Sequence, residues 1–144
     1  MAVARHFTEL WVYQQAFDAT MRIFELSRSW PAEERYSLTG QVRRSSRSVC
    51  GNIAEAWRKR RYVAHFVSKL SDADGEVAET QNWLRFARAC GYLAQEDHDA
   101  LWATYERISA GLVNMMARPD EWCGPAHLLR EPDAGYNVEA DGVG

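Results

Sequence analysis

Proline is scarce in this chain of 144 residues: there are four, and three of them (Pro119, Pro125 and Pro132) fall in the last 26 positions. Proline removes a helix donor and clashes one turn back, so a body nearly free of it suits long helices. Cysteine is also rare. Cys50, Cys90 and Cys123 form no CxxC pair and no zinc spacing, which excludes a disulfide framework or a zinc cluster built on them. Free, mostly buried thiols in a reducing compartment are expected, and with them a cytoplasmic location. No run approaches the roughly 20 apolar residues of a membrane span. The stretch Met1 to Glu9 has no apolar core with a small-residue cleavage site, so no secretory signal is expected. Glu-x-x-His does not occur: Tyr62 stands three residues before His65, and Gln95 three before His98. A di-iron site of the kind built inside helical bundles therefore lacks its ligands. Glycine-rich phosphate loops, nucleophile elbows and Cys/His dyads are missing too. No metal, no cofactor and no enzymatic activity are expected.

What is present is helical periodicity in four segments. The spacing predicts helices near 8–29, 36–59, 63–90 and 95–117. The first carries two apolar stripes, Leu10, Phe17, Met21, Phe24 and Val12, Ala16, Ala19, Ile23, Leu26. That arc is wider than one bundle seam requires and predicts burial on a second side, against another subunit. Trp30-Pro31 ends it, and Pro31 can open a short helical turn. The second helix places Leu38, Val42, Ser45, Val49, Ile53 and Ala56 on one stripe, with Gly40, Ser46, Ser48, Gly51 and Ala54 on or beside it as small residues suited to close packing. The third repeats at 4, 3, 4, 3 through Phe66, Leu70, Ala73, Val77, Thr80, Leu84 and Ala87, a coiled-coil-like seam capped by Gly91. The fourth does the same through Leu101, Tyr105, Ile108, Leu112 and Met115. Short connections make successive helices antiparallel. The fold class is all-α, an antiparallel up-down four-helix bundle over residues 1–120. Residues 121–144, rich in Pro and Gly, are expected to form a flexible tail, with Trp122 and Leu128-Leu129 able to dock locally.

Charge is unevenly shared. The net value is -3, yet residues 1–69 hold 12 Lys/Arg against 6 Asp/Glu, and residues 70–144 hold 5 against 14. This asymmetry reads either as a surface for an electrostatic partner or as attraction between helices of one bundle. Asp72, Glu76 and Glu79 share a side of the third helix, where a solvated face, a cation site or a general acid–base pair are the readings. On the second helix, at 100° per residue, Arg43, Arg47 and Arg58 lie within about 60° of one another, with Arg44 near 100° and the apolar stripe opposite. Arg61 joins them if the helix lasts that far, and Lys59 and Arg60 extend the cluster. These cations point outward or to another subunit. Arg43, Arg44, Arg47, Arg58, Lys59 and Arg61 are the candidate nucleic-acid-binding residues, because guanidinium forks match phosphate oxygens. The competing reading gives Arg43, Arg44 and Arg47 to ion pairs with a neighbouring helix or subunit, and the later group to the helix dipole. The six tryptophans are explained by core and interface packing.

Several blocks resemble a known family. Phe7-Thr8-Glu9-Leu10-Trp11-Val12-Tyr13-Gln14-Gln15-Ala16, Trp30-Pro31 with Glu34-Arg35-Tyr36-Ser37-Leu38, Gln41 to Val49, Asn52-Ile53-Ala54-Glu55, Gly75, Glu79 and Cys90-Gly91-Tyr92-Leu93 are similar to the bacterial four-helix bundle family named after open reading frames in intervening sequences of large-subunit ribosomal RNA genes. The likeness covers roughly residues 7–116. Ala56 and Glu76 stand where the family usually has glycine and serine. The resemblance implies an up-down bundle assembled as a ring-like homopentamer. It also extends to the accessory protein of diversity-generating retroelements, a basic pentamer that partners a reverse transcriptase and nucleic acid. Two functions follow as expectations: a non-enzymatic oligomer that binds nucleic acid or a ribonucleoprotein through the basic face of helix two, or a protein-interaction scaffold whose arginines pair subunits.

Overall fold

The computed structural model describes residues 4–124. Four long helices account for most of them: α1 (Trp11–Ser27), α2 (Leu38–Arg58), α3 (Val63–Ala89) and α4 (Gln95–Ala117), followed by a short α5 (Pro119–Cys123). Single 3-10 turns at Phe7–Glu9 and Ala32–Glu34 precede α1 and α2. No strand occurs among the described residues. No helix among them is long and apolar enough to cross a membrane.

The four expected stripes build the core. Val42, Val49 and Ile53 of α2, Phe66, Leu70 and Leu84 of α3, and Tyr105, Ile108 and Leu112 of α4 are fully buried. From α1 the buried side is Val12, Ala16, Ala19 and Ile23. Each helix touches its two neighbours around a square, α1 to α2, α2 to α3, α3 to α4 and α4 to α1. The cross-helix bonds run in opposite directions along the chain. Lys69 meets Glu55 while Thr80 meets Ser45, and Arg22 meets Asp97 while Val12 lies against Gly111. The bundle is thus antiparallel and up-down.

Local chemistry sets the ends. Pro31 caps the turn Ala32–Glu34, and Trp30 before it is buried beside Tyr92, ring centroids 6.1 Å apart. At the end of α3, Gly91 takes a φ of 79°, which a side chain would resist. Its N–H bonds to Arg88 and the next N–H, of Tyr92, bonds to Ala87 at 2.9 Å, a Schellman cap. Pro119 opens α5, which folds back on α3 and α4 and buries Cys123. Residues 121–123, expected in the tail, are therefore helical, and Trp122 packs against the core. The rest of the expected tail, including Leu128-Leu129, lies outside the described residues.

A seam of hydroxyls crosses the bundle. Thr80 Oγ1 donates to Ser45 Oγ at 2.8 Å, both residues fully buried. Thr20 Oγ1 lies 2.8 Å from its own helix at Ala16 and 3.1 Å from the Ser46 carbonyl. Small side chains let α2 approach both neighbours here. Gly51 does not share that role, since nothing lies within 4 Å of where its Cβ would be. A tight glycine contact is made instead by Gly111 of α4, where a Cβ would meet Val12 at 2.7 Å and Trp11 at 3.3 Å.

Candidate nucleic-acid interface

The six candidate cations divide in two. Arg43 and Arg44 are used inside the chain. Arg43 bends back across α1: its Nε donates to Ser27 Oγ at 2.9 Å, and its guanidinium lies 4.8 Å from the centre of the Phe24 ring. Arg44 reaches α3, where it pairs with Glu79 and lies 3.5 Å from Glu76. The bond to Arg44 holds the Glu79 carboxyl below its ordinary range. The acidic side of α3 is thus a partner of α2: Glu76 and Glu79 take Arg44, and Lys69 sits between Glu55 and Asp72.

Arg47, Arg58, Lys59 and Arg61 are exposed. Among the described residues no carboxylate pairs with any of them. Arg47 and Arg58 are separated by eleven residues, three helical turns, and so face one side of α2 about 16 Å apart. Lys59 and Arg61 do not extend that helical face. Helix α2 ends at Arg58, and the Lys59 N–H closes its last turn at 2.9 Å from the Glu55 carbonyl. Continuing the helix would set Arg58 and Arg61 three residues apart on one face, a repulsive pair. Instead Arg60 folds over Trp57, 3.9 Å from the ring centre, and donates to its carbonyl at 2.7 Å. Arg61 lies beside Tyr62, 5.7 Å from its ring centre. The result is a mid-helix cation and a basic turn at the end of the bundle where α1 begins and α4 ends.

Of the stripe Leu10, Phe17, Met21 and Phe24, Leu10 is buried just before α1, and the bundle leaves Phe17 and Met21 uncovered. Phe17 is 48% and Met21 46% exposed, and Tyr13 stacks on Phe17 at 6.1 Å. Phe24, on the same stripe, is partly covered by the guanidiniums of Arg43 and Arg28. The cysteines are more open than expected: Cys123 is buried, Cys50 intermediate and Cys90 exposed, because Cys90 falls at the end of α3 past the last core position, Ala87. Burial pushes the Cys50 thiol up.

The packing, topology and helix lengths define an all-α up-down bundle. Residues 8–114 match the model of the 23S rRNA-intervening sequence protein family, and the chain belongs to that family. It is also similar in structure to a protein of unknown function from the S23 ribosomal protein family of Bacteroides thetaiotaomicron. The TM-score is 0.66 at 25% identity, over 74% of this chain and 95% of that one. Neither description names a catalysed reaction. No curated protein matches the chain.

Proposed function

We propose that this protein is a non-enzymatic, homo-oligomeric bundle that holds the backbone of a nucleic acid, alone or within a ribonucleoprotein, through Arg47, Arg58, Lys59 and Arg61. The observation that carries this reading is the division among the cations: Arg43 and Arg44 are engaged within the chain, whereas these four are exposed and unpaired by acids. Repetition of the set around an oligomer multiplies a small local charge into a band, which offsets the -3 net charge of each chain. With no exposed aromatic interleaved among the four, contacts go to phosphates and carry no sequence preference. The uncovered Phe17 and Met21 stripe supports assembly, and the number five comes from the family resemblance alone. The cellular site consistent with this reading is the cytoplasm.

The test is titration of single-stranded RNA and DNA at low and moderate salt against the wild type and a variant carrying Arg47→Gln, Arg58→Gln, Lys59→Gln and Arg61→Gln. Binding by the wild type and its loss in the variant, with the oligomer intact by light scattering, are expected. No wild-type binding, or equal binding by both, overturns the proposal. A second reading, a scaffold whose free arginines pair subunits, gains if the variant dissociates into monomers of 16.5 kDa.

A further inference from the structure

Where α1 ends and α2 begins, Arg28, Arg35 and Arg43, with Phe24, Trp30 and Thr39, line an open cavity of about 370 Å³. Three of its nine lining residues are arginines and none is an acid. Of the nearby carboxylates, Glu34 accepts from Ser37 at 2.6 Å and from the Tyr92 hydroxyl at 3.0 Å, whereas Glu25 pairs with Arg28 at 3.6 Å on the exposed side of α1, so Arg35 and Arg43 are the cavity arginines with no carboxylate partner among the described residues. Burial first, and then the like charges of Arg47 and Arg28, disfavour the charged form of Arg43, and an anion in the cavity would offset both effects.

Two further lining residues carry unspent hydrogen-bonding capacity. Trp30 and Thr39 are more than nine-tenths buried, and Trp30 Nε1 and Thr39 Oγ1 have no partner among the described residues. Buried polar groups are nearly always satisfied, so an orphaned N–H and hydroxyl on two residues of one cavity wall mark a place short of acceptors, although neither atom is itself open to the cavity. Phe24, Pro31, Ala32 and the Trp30 ring make the apolar part of the wall, with the Ser27 hydroxyl already taken by Arg43, and offer room for an organic group beside the charge.

We propose that this cavity binds a phosphomonoester: its dianion is held by Arg28, Arg35 and Arg43, and its ester group rests on the Trp30 and Phe24 wall. A tetrahedral dianion presents several acceptor oxygens at once, which suits converging guanidinium forks better than a single carboxylate does. The source is either a free small molecule or the phosphorylated end of a nucleic acid, and the chemistry at the cavity is the same. This site is separate from Arg58, Lys59 and Arg61, which sit at the opposite end of α2, so it stands or falls independently of the backbone-binding proposal.

The experiment is calorimetric titration of the full chain with inorganic phosphate, a nucleoside 5′-monophosphate, and matched oligonucleotides with 5′-phosphate or 5′-hydroxyl ends, all at constant ionic strength. Saturable binding of the monophosphate, or tighter binding of the 5′-phosphorylated oligonucleotide than of its 5′-hydroxyl twin, is expected; the first assigns a free ligand and the second a chain end. Arg35→Gln and Arg43→Gln should each weaken that affinity about tenfold, the effect of losing one charge-assisted bond, and Arg58→Gln should leave it within about twofold. Arg35 is exposed and makes no side-chain bond among the described residues, so its variant keeps the test valid even where Arg43→Gln unfolds. Absence of saturable phosphate-dependent binding overturns the proposal, as does an equal loss in Arg35→Gln and Arg58→Gln.

Discussion

Arg43 Nε donates to Ser27 Oγ across the α1–α2 interface at 2.9 Å. The bond turns a cation that helical geometry places on the outer face into a tie between helices. Its guanidinium also lies over Phe24, a cation–π contact that adds to the hydrogen bond. Arg47, one turn further along, has no such partner. Arg43→Ala should therefore lower unfolding free energy by about 1–2 kcal/mol. Arg47→Ala should stay within about 0.5 kcal/mol of the wild type. Urea denaturation followed by circular dichroism measures both, and equal effects would show that Arg43 is not a structural residue.

Two helical glycines should respond with opposite signs. Gly51 is exposed and an added Cβ meets nothing within 4 Å, so Gly51→Ala should stabilise by about 0.5–1 kcal/mol through helix propensity. At Gly111 the added Cβ lies 2.7 Å from Cγ1 of buried Val12, a stiff β-branched neighbour with little room to move. Overpacking there outweighs the propensity gain, and Gly111→Ala should cost about 1 kcal/mol or more. A thermal melt of the two variants beside the wild type distinguishes the signs.

Much of this architecture was legible in residue spacing because burial follows period. The stripes through Leu38 to Ala56, Phe66 to Ala87 and Leu101 to Met115 are the buried faces. The second stripe of α1 was legible as apolar, and Phe17 and Met21 remain exposed in the single chain. Spacing along one helix cannot show where a long side chain goes. Arg44 flanks the core stripe, and four methylene-length bonds carry its charge to α3. The reading that gave Arg44 to an ion pair with a neighbouring helix was legible, but which acid it meets depends on the register of α2 on α3, which spacing does not give. Gly111 escaped notice because glycine on α4 is silent in an apolar pattern, and its meaning comes only from Val12 and Trp11 on another helix. The Arg28, Arg35 and Arg43 cavity was equally hidden, since a 3-10 turn brings together residues from three elements.

Acid should loosen the α2–α3 contact. The folded-state pKa of Glu79 is lowered mainly by its bond to Arg44, and that of Glu34 by Ser37 and then Tyr92. A depressed carboxylate contributes stability that is complete above its unfolded value, near about 4.3, and is lost as pH falls through the lower folded value. Urea midpoints should drop below about pH 4, and Glu79→Gln should flatten that limb; an unchanged limb would deny Glu79 a part in it.

Alkali acts on the other side of the scale. Glu34 accepts the Tyr92 hydroxyl proton and pushes that phenol up to about 12. Burial pushes Tyr105 up as well. Groups whose protonated form is favoured by folding contribute fully below the unfolded phenol value, about 10, and lose that contribution as pH rises through the folded one. Stability should fall between about pH 10 and 12. Tyr92→Phe should flatten part of that fall, and a spectrophotometric titration that places all phenols near the ordinary value would contradict the expectation.

In the proposed function, exposed, unpaired cations on and after α2 hold a polyanion while Arg43 and Arg44 serve the fold. The most direct measurement is the salt dependence of single-stranded RNA binding, because each phosphate neutralised adds to the slope of log K against log salt. The slope should be negative in the wild type. It should become shallower by about 0.7 per contributing cation when Arg47, Arg58, Lys59 and Arg61 are replaced by glutamine. It should stay unchanged in Arg44→Gln, whose charge is already spent on Glu79. A wild-type slope near zero, or the same slope in the fourfold variant, would contradict the account.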